Sequence, residues 1–251
     1  MTDEPPAARP SLVAGVDGCP GGWMVVTIRL EGDAPPIARV VPQFLDVFFG
    51  SEVPGIVAVD MPIGLPDRAG IGGRGAEVAV RPLLGERQSS VFSVPSRSAV
   101  ACEDYREACR VALATSDPPR KVSKQAFHLF PKIREIDALL RADTGLQERV
   151  HEVHPEVAFW RLNGERAMSL PKKIKGSVNP AGLDERRQLL EASGFSSDFL
   201  SQKPPRGAAG DDFVDACACA AIASRIARGL ARPFPQEDIY DAHGLRIAIW
   251  A

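Results

Sequence analysis

Residues 12–30 read LVAGVD, then GCPGG, then WMVVTIRL: an apolar run closed by an acid, a turn rich in glycine and proline, and a second β-rich run. Two such runs joined by a short Gly/Pro turn predict a β-hairpin. Working outward, residues 37–43 (IARVVPQ) predict a third strand with Pro42 near its end, and residues 44–49 a short helix. Residues 56–60 (IVAVD) repeat the first pattern, an apolar run ending in an acid, and Met61 and Pro62 stop it. From about 62 to 146 the chain changes character. Gly, Pro and Arg dominate as far as Arg97, and two helical patterns follow at 103–115 and 123–142, the second with an expected break at Pro131. Residues 147–154 (QERVHEVH) predict a strand closed by Pro155, followed by a short helix around 157–162, a basic loop at 170–176 and a helix at 184–192. A long small-residue helix is predicted from near Asp211 to Gly229, a natural C-cap with Arg225 and Arg228 in the final turn. Residues 245–250 (LRIAIW) predict a last strand.

A hairpin and third strand followed by crossover-connected strands make a mixed sheet. Helices on both faces complete a three-layer α/β fold. We read one domain over 1–251, with a helical insertion at about 62–146 and a disordered tail at about 1–10.

A chain of 251 residues with 45% hydrophobic and 25% charged residues can bury a sizeable core. The formal net charge of −2 argues against a uniformly basic nucleic-acid binder, so any basic surface is local. No apolar run is long enough to span a membrane. The polar, proline-rich start MTDEPPAARPS has neither the signal-peptide nor the transit-peptide pattern. Five cysteines without a C-x-x-C pair argue against a disulfide framework or a zinc ribbon and for a reducing, cytoplasmic setting. The oligomeric state is not legible.

Asp17 and Asp60 each close an apolar strand, and ligand sites in open α/β sheets lie beyond the carboxyl ends of the strands. Glu152 sits in the next strand candidate. Asp211, Asp212 and Asp215 open the last helix, where Asp215 shares a face with either of the others. Acids gathered from three strands and a helix repel unless a cation neutralises them, and hard oxygen ligands select Mg²⁺ or Mn²⁺. Two such ions about 3.5–4 Å apart stabilise the attacking and leaving oxygens of a phosphoryl transfer. An Asp at a strand end also forms turns and one at a helix start also caps; Asp211 is the one that reads most readily as a cap. Glu156, after Pro155, stays open as a rival to Glu152.

Arg87, Arg97, Lys124, Lys132, Lys172 and Lys173 are candidate contacts for the phosphates of a nucleic acid. Lys172 and Lys173 come first, because they follow a proline in a Gly-bounded loop. His154 reads either as a proton shuttle or as a structural hydrogen-bonder. Cys217 and Cys219 read as core.

The stretches GVDGCPGGW (15–23), VAVDMPIGLP (57–66), LLGERQSSVFSVPSR (83–97), SKQAFHLFPKIREID (123–137), EVHPEVAFWRLNG (152–164), LPKKIKG (170–176) and GDDFVDA (210–216) cover nearly the whole chain. Through them the sequence resembles a family of uncharacterised proteins usually predicted to be RNase H-like nucleases. The resemblance implies an RNase H-like fold and metal-dependent cleavage of DNA or RNA. Its acids map onto Asp17, Asp60, Glu152, Asp212 and Asp215, with Asp17 bridging two ions. Ser93 stands where the resemblance leads one to expect proline. Two further classes share the implied fold: a phosphotransferase of the actin-like or sugar-kinase kind, and a non-catalytic nucleic-acid-binding module.

Overall fold

In the computed structural model of the chain, which describes residues 10–251, the hairpin forms as β1 (Leu12–Cys19) and β2 (Gly22–Arg29), antiparallel and in the register Asp17 to Met24. Residues 1–9 of the tail expected at about 1–10 lie outside the described residues. β3 (Ile37–Val41) pairs antiparallel with β2, while β4 (Ile56–Val59) and β5 (Val150–Glu152) extend the other edge in parallel. The strand order is β3-β2-β1-β4-β5, a mixed sheet. The helices are α1 (Gly75–Val80), α2 (Arg97–Val100), α3 (Tyr105–Ala114), α4 (Lys124–Ala142), α5 (Thr144–Gln147), α6 (Pro155–Leu162), α7 (Pro180–Ala192), α8 (Ser197–Ser201) and α9 (Gly210–Ala227).

Period-two alternation sends successive strand residues to opposite layers. Ala14, Val16, Val25, Val57 and Val59 pack with Phe130, Ile133, Ile136 and Leu140 of α4. Val13, Met24, Val26 and Ala58 pack with α9, whose residues from Phe213 to Ala223 are buried. Helices therefore cover both faces of the sheet, the three-layer arrangement expected from the sequence. Gly15 lets α9 come close: a Cβ there would lie 2.0 Å from the Ala220 backbone nitrogen. The helix can approach because its own stripe is made of alanine and cysteine.

The break expected at Pro131 does not occur, and α4 runs unbroken through it. Pro131 faces solvent, while Ala126, Phe130, Ile133, Ile136 and Leu140 hold the helix onto the sheet. Burial of that stripe outweighs one lost backbone hydrogen bond. The segment 62–146 has two destinations. The body of α4 is a layer of the core, whereas residues 86–92 and the first turns of α4 turn toward the strand ends. Of the strand expected at 245–250, Ile249 and Trp250 pair with Pro233 and Phe234, Arg246 bridges to Tyr240, and none of it pairs with the central sheet. Residues 239–247 bond to one another instead, with the Ile247 N–H donating to the Ile239 carbonyl at 2.7 Å. All five cysteines are free, and no helix among the described residues is long and apolar enough to cross a membrane.

Candidate functional site

The Asp60 N–H donates to the Val16 carbonyl at 2.9 Å, which carries the parallel register of β1 and β4 one residue past the end of β4. Asp60 thereby lies beside Asp17, and both side chains point to the α9 layer. Asp215, in the second turn of α9, comes down onto them. One carboxylate oxygen from each of Asp17, Asp60 and Asp215 lies within 4.8 Å of the others. They sit in a cleft of about 400 Å³ that is also lined by Arg87, Ser90, Phe92, Glu156 and Lys172.

The electrostatics of the trio follow from burial. Burial first, and then Asp60 and Asp215, hold the Asp17 carboxyl well above the usual carboxylate range. Burial and then Asp215 push Asp60 up to about 8. Burial raises Asp215 as well, with Lys172 pulling against it. The Lys172 ammonium hydrogen-bonds Asp215 Oδ2, and Asp215 Oδ1 is buried with no hydrogen-bond partner. Burial would lower Lys172, but Asp215, Glu156 and Asp60 outweigh it and hold the lysine above its ordinary value. Its loop is anchored: the Asn179 N–H donates to the Lys172 carbonyl at 2.7 Å, and Arg186 donates to the Leu170 carbonyl at 3.0 Å. Three hard oxygen donors, one of them an orphan, fit a divalent cation. The cation already among them is the lysine's.

The other acids are engaged elsewhere. β5 pairs with β4 so that Glu152 stands opposite Val59, not beside Asp60. That register turns Glu152 to the opposite face, and the position beside Asp60 falls to Val153, buried in the α9 layer. Glu152 is gripped by Arg74, Nη2 to Oε1 at 2.6 Å and Nη1 to Oε2 at 3.0 Å, and takes the Ile63 N–H at 2.7 Å. Glu156 lines the cleft but is held by Arg186 through contacts of 2.7, 2.8 and 3.1 Å. Asp212 accepts the Ala209 N–H at 2.8 Å, so it is the acid that caps α9. Asp211, which reads as the cap in the sequence, instead pairs with Lys173 at 2.7 Å and lines the cleft. Arg186 was not legible as a site residue. Its signal is its place between Leu183 and Leu190 on the buried stripe of α7, where an arginine needs a buried acid.

Among the basic candidates, Arg87, Lys172 and Lys173 line the cleft. Arg97 is spent on Asp137 and Asp241, and Lys132 donates to the Gly22 carbonyl and lies 4.3 Å from the Trp23 ring centre. Lys124 is exposed at the start of α4, outside the cleft lining. His154 Nδ1 accepts the Glu156 N–H at 3.2 Å and Nε2 lies 3.3 Å from the Ser90 carbonyl. Burial and then Lys172 push it down to about 4, so it is a neutral tie between the 81–90 segment and α6.

Fold and site together define a three-layer α/β protein with a buried carboxylate cluster, fit for a metal ion, at the carboxyl ends of its parallel strands. Residues 15–239 match a family described as protein of unknown function (DUF429), and the chain belongs to that family. No curated protein and no solved structure matches the chain.

Proposed function

We propose that this protein is a divalent-metal-dependent nuclease of the RNase H-like fold, hydrolysing nucleic-acid phosphodiesters at the acidic cleft. One observation carries the reading: Asp17, Asp60 and Asp215 converge to within 4.8 Å, and Asp215 Oδ1 has no partner of its own. Bound Mg²⁺ or Mn²⁺ supplies polarisation of the phosphoryl oxygen and activation of the attacking water. The three aspartates hold the ion. Lys172, tethered by its anchored loop, meets a phosphate oxygen once its carboxylate partner is taken up. Lys173 and Arg87 at the cleft wall hold flanking phosphates. His154, pinned and neutral, with its Nε2–H on the Ser90 carbonyl, keeps the wall closed and does not shuttle protons.

A second reading draws on the ion pair of Lys172 and Asp215: the cluster is neutralised by its own lysine and the cleft binds nucleic acid without cutting it. The test is a cleavage assay on single-stranded, duplex, hybrid and junction substrates with Mg²⁺, with Mn²⁺ and with chelator, alongside calorimetric titration of Mn²⁺. Metal-dependent cleavage that Asp17→Asn lowers by orders of magnitude, with the fold intact, supports the nuclease. A wild type that takes up no Mn²⁺ and cuts nothing ends that reading. Retained oligonucleotide binding would then favour the second.

A further inference from the structure

Beside the acidic cleft lies a second cavity of about 270 Å³, and Phe92 lines both. Its floor is apolar, with Phe92, Val94, Pro95, Ala112, Val122 and Ala126. Its rim carries Arg120 and Lys121 and not one carboxylate. Neither side chain makes a hydrogen bond or an ion pair to any described residue: the one hydrogen bond of Arg120 is from its backbone N–H to Ser116 Oγ, at 2.7 Å. Arg81, outside the cavity lining, is pinned to the carbonyls of Gly72 and Val91 and the Ser93 hydroxyl, and the Glu77 carboxylate acts on it more strongly than Arg120 does. Ser93, at the position where a proline was expected, lines the cavity and accepts from Arg81 behind it at 3.0 Å.

Two unpaired cations and no carboxylate in the lining ask for an anion. The apolar floor asks for a flat, weakly polar group attached to that anion. The volume falls just below the roughly 300–1,000 Å³ of sites for larger ligands, so one unit fits and a longer ligand must run on past Phe92. We propose that this cavity binds a single unstacked nucleotide, its base on Phe92 and Val94 and its phosphate on Arg120 and Lys121, next to the acidic cleft. Base stacking on an aromatic side chain, with cations on the backbone, is how single strands are held without sequence preference. A base in an intact duplex is paired and stacked and must first be extruded to enter. The substrate class is therefore a single-stranded segment or a strand with a splayed base. The nature of the ligand rests on the action on nucleic acid proposed above; the cavity and its charge do not.

The test is run in chelator, so that it is independent of cleavage. Binding of a nucleoside monophosphate, its nucleoside and inorganic phosphate to the full chain is followed by NMR or calorimetry, with wild type and Arg120→Ala/Lys121→Ala. Both substituted side chains are exposed, and a circular dichroism spectrum checks that the variant is folded. The monophosphate should bind more tightly than either fragment, and the double variant should weaken it by about tenfold or more, the loss of two charge-assisted contacts. A single-stranded oligonucleotide should outcompete the corresponding duplex. Inorganic phosphate binding as well as the monophosphate, a double variant that binds as wild type does, or duplex preferred over single strand each overturns the proposal. A nucleotide bound here by a protein that never cuts nucleic acid sinks the nuclease and leaves this site standing. Cleavage with no nucleotide bound here does the reverse.

Discussion

Asp17, Asp60 and Asp215 at the strand ends, and Glu152 and Glu156, are acids withdrawn wholly or partly from water, but only in the second group does a buried arginine fix both carboxylate oxygens. Each glutamate is clamped by a buried arginine, Glu152 by Arg74, which it shares with the buried Glu77, and Glu156 by Arg186. The three aspartates share a single lysine. A planar guanidinium gives both carboxylate oxygens fixed partners and leaves nothing for a ligand. A single ammonium on a flexible stem leaves oxygens over, and Asp215 Oδ1 is one of them. The comparison teaches that a buried acid marks a ligand site when one of its oxygens is left without a fixed partner. Glu152 and Glu156 hold the walls, and the aspartates hold the free oxygen.

The sharpest way to break that contrast is to remove one partner from each group. Arg186→Ala leaves Glu156 buried and unpaired and also frees the Leu170 carbonyl at the base of the lysine loop. It should cost about 3–5 kcal/mol in urea unfolding, as breaking buried pairs does. Asp17→Asn relieves repulsion in the other group, so apo stability should hold or rise. Equal destabilisation by both substitutions would mean that the two groups are alike.

Next in size is Gly15→Ala. The added Cβ meets the α9 backbone at 2.0–2.6 Å, so the helix must move. A loss at or above the upper end of about 1–3 kcal/mol is expected. Mn²⁺ uptake should fall with it, because Asp215 rides on α9. Uptake unchanged in a destabilised protein would show that the trio does not need this close approach.

Lys172→Met probes the shared counter-charge. With the ammonium gone, a metal ion need not compete for Asp215, and Mn²⁺ should bind about tenfold more tightly, about 1.4 kcal/mol, while the apo form loses stability near neutral pH. Weaker Mn²⁺ binding would show that the lysine supports the ion and does not stand in for it.

The pH dependence tests the same shortage of counter-charge without a substitution. Asp60 is raised from an ordinary 3.8 to about 8, and Glu152 from 4.5 to about 7, chiefly by burial. Between the ordinary and the raised values the folded chain holds a proton that the unfolded chain releases, so rising pH destabilises the apo protein. His151 and His154, pushed down from 6.5 to about 4 by burial, act in the opposite sense but only below about 6.5. Apo stability should therefore fall between pH 6.5 and 8, and saturating Mn²⁺, which binds the deprotonated acids, should flatten or invert that slope. Thermal melts across this window, with and without the ion, check it. A rising apo curve would mean that the acids are ionised in the folded chain without a metal.

Much of this arrangement was legible in local pattern. Apolar runs closed by Asp17 and Asp60, the glycine-rich hairpin turn and the small-residue helix behind Asp215 identify a three-layer α/β fold and its site edge, because strand alternation and helical periodicity are written residue by residue. Pro131 misled because a local rule was outweighed by a buried stripe that the helix shares with the sheet. Glu152 and Val153 differ by one place in sequence and by a whole layer in space, since strand register has a period of two and is set by pairing with β4. The roles of Asp211 and Asp212 divide in the same way, by which of them the α9 start turns toward Lys173. The sequence by itself determined which residues could be strand ends, helix starts and acids. Only the tertiary structure decided which acids keep a partner, because Arg74, Arg186 and Lys172 reach their carboxylates across 78, 30 and 43 residues of chain, and no local periodicity encodes a contact made over that separation.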